Sequence, residues 1–213
     1  MAKEKRARTL TKAELRRKAE FEAKTTELES LGYKASPLTI DVVYANVMAI
    51  VVTLPFLLPL CVLFFGLQGF SGISVSLSGS SFVVSLVVIL ALIVIHELIH
   101  GFFWGLFAEH GFKAVEFGVI WKYATPYCTC RDALKKSHYI IGAMMPLVLL
   151  GVLPAIIASI NGSGTLFTIS LFMTMAGGGD VLIALKLLRY HPAGKQVVYL
   201  DHPYECGLVA FEK

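Results

Sequence analysis

Four long apolar runs divide the chain, at roughly 42–67, 82–107, 139–160 and 166–188. A helix needs about 20 apolar residues to cross a bilayer, so each run predicts one transmembrane helix. The first starts after some forty mostly polar residues and is too long for the apolar core of a cleavable signal peptide. Ahead of it, residues 9–31 carry helix formers throughout and end at Gly32, a natural C-terminal stop. Thr11 followed by Glu14 fits a capping box. Leu10, Leu15, Phe21, Leu28 and Leu31 are too sparse for a strong apolar stripe, which predicts a solvated helix lying near the headgroups. Pro37 then separates that helix from the first span.

Between the second and third runs the period changes. Val115, Phe117, Val119, Trp121 and Tyr123 alternate with Glu116, Gly118 and Lys122, a period of two that argues for strand. Gly118 or the Thr125-Pro126 pair is expected to turn or bend this piece, giving a short β-hairpin or extended segment over 112–130 at the membrane surface. The fold class is therefore an all-α membrane protein with four transmembrane helices, a cytoplasmic N-terminal helix and that single extended insertion. The organisation is a charged helical segment over 1–41, a four-span domain over 42–190 and a C-terminal tail over 191–213.

Composition agrees with the pattern: 56% of residues are hydrophobic, 16% are charged, and the mean hydropathy is +0.70. Charge then orients the spans. Of the 19 Lys and Arg, ten precede the first run, five lie between the second and third, and four fall at or beyond the end of the fourth. The other two connections, "QGFSGISVSLSGSS" and "NGSGT", hold none. The positive-inside rule puts both termini in the cytoplasm. The net charge of +4 is a topology signal and an attraction to the lipid bilayer; no nucleic-acid motif accompanies it. Cys61, Cys128, Cys130 and Cys206 form no disulfide framework, and the C-x-C spacing of Cys128 and Cys130 reads as small residues of a loop.

The second run contains "HELIH". His96 and His100 are four apart, so one helical face carries both rings, with Glu97 beside the first. In H-E-x-x-H the two imidazoles bind zinc and the glutamate polarises the water as general base. The competing reading, polar groups satisfying one another inside the bundle, is weaker in a bilayer, where intramembrane ionisable residues mark functional pathways. A catalytic zinc site takes three protein ligands. Asp180 is the other acidic residue deep within an apolar run, and it lies as far into the fourth run as His96 lies into the second. At 1.5 Å per residue both sit about 20 Å from the outer edge. Gly177, Gly178 and Gly179 precede it, and three glycines in a helix predict close packing, here against the second helix.

"HELIHG", the extended segment with "PYC", the proline-bearing third span starting near "HYIIGAMMP", and "GGGD" together resemble a prokaryotic multi-pass membrane family of zincin peptidases of unknown function. That family is similar to the site-two protease class of intramembrane metalloproteases. The resemblance covers roughly residues 85–205. It implies that His96, His100 and Asp180 hold one Zn2+ per chain and that Glu97 is the general acid and base. It implies too that the extended segment, through Thr125, Pro126, Tyr127 and Cys128, lines up a membrane protein or peptide substrate by backbone pairing. The glycines precede the aspartate here, whereas in site-two proteases a glycine follows it, and no PDZ-like domain is present. The resulting expectation is a zinc metalloendopeptidase in the prokaryotic cytoplasmic membrane. A divalent-metal transporter or sensor, or a non-catalytic metal-binding scaffold, is the alternative. Substrate identity and oligomeric state have no sequence signal.

Overall fold

The computed structural model describes residues 11–70, 79–120 and 125–213. Helix α1 (Lys12–Ser30) begins with both halves of the capping box, the Glu14 N–H donating to Thr11 Oγ1 and the Thr11 N–H to Glu14 Oε2. It ends before Gly32, whose φ of 87° lies in the left-handed region that glycine tolerates. The chain then enters strand β1 (Lys34–Thr39), with Pro37 paired opposite Val209 rather than separating two helices. The N-terminal segment is thus helix and strand, not helix alone.

Helices α2 (Val42–Gln68) and α3 (Gly79–Phe107) follow. Asp41 caps the first, its carboxylate accepting the N–H groups of Val43 and Tyr44. After a short 3₁₀ turn, β2 (Val115–Ile120) and β3 (Thr125–Cys130) pair antiparallel, from Val115 opposite Cys130 to Ile120 opposite Thr125. Neither expected bend does the turning. Gly118 is mid-strand opposite Tyr127, whose ring fills the space a Cβ would need, and Thr125-Pro126 opens β3. Trp121 and Tyr123 of the alternating pattern fall outside the described residues.

The third apolar run is one continuous helical stretch, Lys136–Asn161, made of α4 (Lys136–Pro146), a π-helical piece (Leu147–Val152) and α5 (Leu153–Asn161). The fourth is broken. Helices α6 (Gly164–Ala176) and α7 (Gly178–Arg189) meet at Gly177 with a bend of 44°. Among the described residues three helices are long and apolar enough to cross a membrane, or four if the bent pair counts as one.

The C-terminal residues are not a tail. Strands β4 (Val197–Asp201) and β5 (Gly207–Glu212) form an antiparallel hairpin, and β1 joins β5 in a sheet ordered β1-β5-β4. Among the described residues the molecule is mostly helical with two small sheets, and the all-α expectation is corrected accordingly. The strands were hidden because the sheet joins segments some 170 residues apart, a pairing that no local periodicity encodes.

Three buried clusters hold these parts together. Phe64 stacks on Phe167 at 4.1 Å between centroids, joining α2 to α6 over Ala155 and Ala158. Trp104, Cys130, Tyr139, Leu187, Tyr199 and Ala210 join α3, β3, α4 and α7 to the C-terminal sheet. Leu28 of α1 meets Leu200, Val209 and Phe211 beneath the sheet. Elsewhere α2 and α3 leave large apolar side chains exposed, such as Val47, Leu58, Val62, Val84, Val87 and Leu98, the surface expected of helices facing lipid.

The glycines before Asp180 pack differently from expectation. A Cβ on Gly178 would lie 2.5 Å from the Ala49 carbonyl oxygen, so this glycine brings α7 against α2. Gly177 sits against Leu147 of the third stretch, and Gly179 faces open space. None of the three packs on α3. The close approach to α3 comes from Gly142 of α4, where a Cβ would overlap the Trp104 indole.

Candidate metal centre

Four elements build the site. Helical spacing puts His96 and His100 on one face of α3, their rings 4.8 Å apart. The bend at Gly177 ends α6 and restarts the helix so that Asp180 stands in the first turn of α7. There His96 Nε2 lies 3.1 Å from Asp180 Oδ2, His100 Nε2 lies 3.4 Å from Asp180 Oδ1, and the two Nε2 atoms are 3.1 Å apart. His96, His100 and Asp180 each offer one donor atom, all within 4.8 Å of one another. No cysteine joins this group among the described residues.

The hydrogen-bond chemistry tests whether a cation suits the cluster. His100 Nδ1 approaches the Gly142 carbonyl at 2.8 Å; a carbonyl only accepts, so Nδ1 carries the proton. In the neutral ring Nε2 then presents a lone pair, aimed at another imidazole nitrogen and a carboxylate oxygen. With His96 Nε2 unprotonated as well, three lone pairs converge, an arrangement that a cation among them stabilises; without one, a proton on His96 Nε2 bridges the group. Two imidazoles and one carboxylate, with the outer nitrogen of one ring fixed by a backbone carbonyl, fit the donor set of a zinc site. Both histidines are buried, while the Asp180 side chain keeps 23% exposure.

Glu97 is half-buried next to the pair, and Cys128 of β3 lies beside its carboxylate. The hairpin register explains this contact. The Arg131 N–H donates to Ala114 O, so peptide groups at 131, 129 and 127 turn toward β2 while those at 130, 128 and 126 face the outer edge. One outer donor is hydrogen-bonded, the Cys130 N–H to Asp201 at 2.8 Å, and Cys128, two residues earlier on the same edge, lies beside Glu97. Of the expected substrate contacts, only Cys128 adjoins the cluster. The Tyr127 side chain lies on the opposite face, under the Arg17 guanidinium, which is 4.7 Å from its ring centre and also bonds its hydroxyl. Thr125 and Pro126 are at the far end of the strand from Asp201.

Cys128 and Cys130 are strand residues rather than loop filler. Burial pushes both thiols up, Cys130 to about 12, with the Asp201 charge adding to the effect. His138 stacks on Phe107 and His110 pairs with Asp132 at 2.9 Å, so neither joins the cluster.

Sequence reasoning missed the supporting residues. His100 stacks on Trp104 at 5.1 Å; the Trp104 indole N–H donates to Tyr139 O; and the Tyr139 hydroxyl donates to Asp201. A lone glycine in the apolar "IIGAMMP" was the available signal for Gly142. Asp201 carried no motif at all.

The segment 89–195 matches the model of a family described as "Putative zincin peptidase". No curated protein and no solved structure matches the chain.

Proposed function

The chain belongs to that zincin peptidase family, and on this premise we propose that it is a membrane-embedded zinc metalloendopeptidase. The observation that carries the reading is the convergence of two imidazole nitrogens and a carboxylate, from residues 84 positions apart in sequence, beside the Glu97 carboxylate. His96, His100 and Asp180 would hold one zinc ion. When bound, zinc acts as a Lewis acid toward water and a peptide carbonyl. Glu97 takes a proton from the attacking water on a carboxylate oxygen and returns it to the leaving amine. His100 is held in one tautomer by Gly142, and Asp180 balances the positive charge of the site.

The substrate is an extended stretch of a membrane or membrane-proximal protein. The carbonyls of Pro126 and Cys128 face the outer edge of β3, next to Glu97, and backbone pairing there would align a scissile bond with little demand on its side chains. Both termini are cytoplasmic in this reading, and the location is a prokaryotic cytoplasmic membrane. Its support is the basic connections together with their mutual contacts: Arg16 of α1 pairs with Glu116 of β2 at 2.8 Å, Arg131 pairs with Glu20, and Arg17 Nε–H donates to Pro203 O.

The deciding experiment compares purified wild-type protein with Glu97→Gln. Zinc content is expected to persist in the variant while peptide cleavage falls by at least about 100-fold. Zinc flux into liposomes, with no peptide cut by the wild type, would favour transport and overturn the proposal.

A further inference from the structure

Asp201 stands at the end of β4, beyond the segment matched by the family, and three donors from two other elements converge on it. Oδ2 accepts the Cys130 N–H at 2.8 Å and the Thr129 hydroxyl at 3.0 Å, both from β3; Oδ1 accepts the Tyr139 hydroxyl at 2.5 Å, from α4. With three protein donors on its two oxygens and no place in the donor group of His96, His100 and Asp180, this carboxylate holds protein elements rather than the metal. Its place between two lines of contact defines it differently. Along β3, Cys130 is two residues from Cys128, the residue that lies beside Glu97. Along α4, Tyr139 accepts the Trp104 indole N–H that lies under the His100 ring, and one turn later Gly142 sets the His100 tautomer.

We propose that Asp201 is a positioning residue for peptide hydrolysis, clamping the outer edge of β3 at a fixed height against α4 and so against Glu97 and His100. This rests on the peptidase reading above. Asp201 itself is well anchored. β4 is paired along β5, and Tyr199, two residues before Asp201, exchanges both backbone hydrogen bonds with Leu134 at 2.8 Å in the connection between β3 and α4. The carboxylate therefore projects from a rigid hairpin onto the one strand edge the substrate would use. A strand carried on a two-stranded hairpin has few constraints of its own, and an outside clamp at its C-terminal end supplies one. Burial raises the Asp201 pKa above the ordinary carboxylate range, opposed by its three donors.

The test uses the full-length zinc-loaded protein in detergent, with Asp201→Ala, Asp201→Asn and Tyr139→Phe. Hydrogen exchange is followed by mass spectrometry for 125–131 and, as internal control, for 197–212; zinc content and cleavage of an internally quenched peptide library are measured alongside. In Asp201→Ala, exchange at 125–131 is expected to rise at least about tenfold while 197–212 stays protected and zinc is retained. kcat falls by about 10–100-fold, more than KM rises, because a small misplacement costs near-attack geometry. Asp201→Asn, which keeps an acceptor for Cys130, restores most of both, and Tyr139→Phe gives a smaller version of the same change. Unchanged exchange at 125–131 in Asp201→Ala, or equal deprotection of 197–212, overturns the inference, the second result reducing Asp201 to a fold anchor. If the wild type cuts no peptide, the peptidase reading fails on its own, and the exchange data still decide whether Asp201 clamps β3.

Discussion

His100 Nδ1 donates to the carbonyl oxygen of Gly142, 42 residues further along the chain, at 2.8 Å. The bond turns the opposite ring nitrogen toward His96 and Asp180. It exists because Gly142 has no side chain, which lets α4 approach until its backbone reaches a ring on α3.

Gly142→Ala is therefore expected to damage the site without touching a donor atom. Its Cβ would overlap the Trp104 indole. Relief by moving α4 outward should cost on the order of 1–3 kcal/mol of stability, read as a lowered Tm in detergent, and should lengthen the His100 contact. Zinc affinity should drop by about 10–100-fold, as for other losses of a group that orients a ligand. A normal Tm with normal zinc affinity would show that the contact has no consequence.

Asp180→Ala addresses a ligand directly. It removes one of three converging donors, so its effect should exceed that of an orienting group, a loss of more than about 100-fold in zinc affinity by titration calorimetry. Circular dichroism should stay that of a folded helical protein. One zinc per chain bound as tightly as in the wild type would remove Asp180 from the ligand set.

The adjacent glycines should respond in opposite ways. At Gly178 a Cβ would meet Ala49 backbone at 2.5 Å, which cannot give way without separating α7 from α2, so Gly178→Ala should destabilise by about 1–3 kcal/mol. At Gly179 there is open space, and Gly179→Ala should be neutral or stabilising by up to about 1 kcal/mol through helix propensity. Thermal unfolding of the two variants, run side by side, checks the contrast.

The turn between β4 and β5 should weaken in acid. His202 Nδ1 accepts the Glu205 N–H at 3.0 Å and faces that of Tyr204, and burial lowers its pKa below the ordinary 6.5, with Glu205 opposing. A histidine depressed in the folded state contributes stability that is complete above the unfolded value of 6.5 and declines as pH falls toward the folded one. Hydrogen exchange at 202–207, corrected for intrinsic rate, should accelerate between pH 7.5 and 5.5, and His202→Asn should flatten that dependence. Equal pH profiles for the two proteins would sink this expectation.

Local periodicities made much of the molecule legible. Apolar runs of some twenty residues and the capping box of Thr11 and Glu14 report on neighbours in sequence, and so does the four-residue spacing of His96 and His100. A helix converts such spacing directly into shared faces. Even the juxtaposition of Asp180 with the histidines had a sequence signal, because a bilayer converts residue number into depth.

Only the tertiary structure decided what holds that cluster in place. Glycine packing was legible as a need but not as a direction: Gly178 serves α2, and Gly142, unremarked in its apolar run, serves α3. The C-terminal sheet depends on β1 meeting β5 from the other end of the chain, and Asp201 acquires its partners only when β3, β4 and α4 are assembled. Hydrogen bonds between distant segments leave no period in a sequence, since each partner needs only to be present, and their geometry comes from the packing of everything between them.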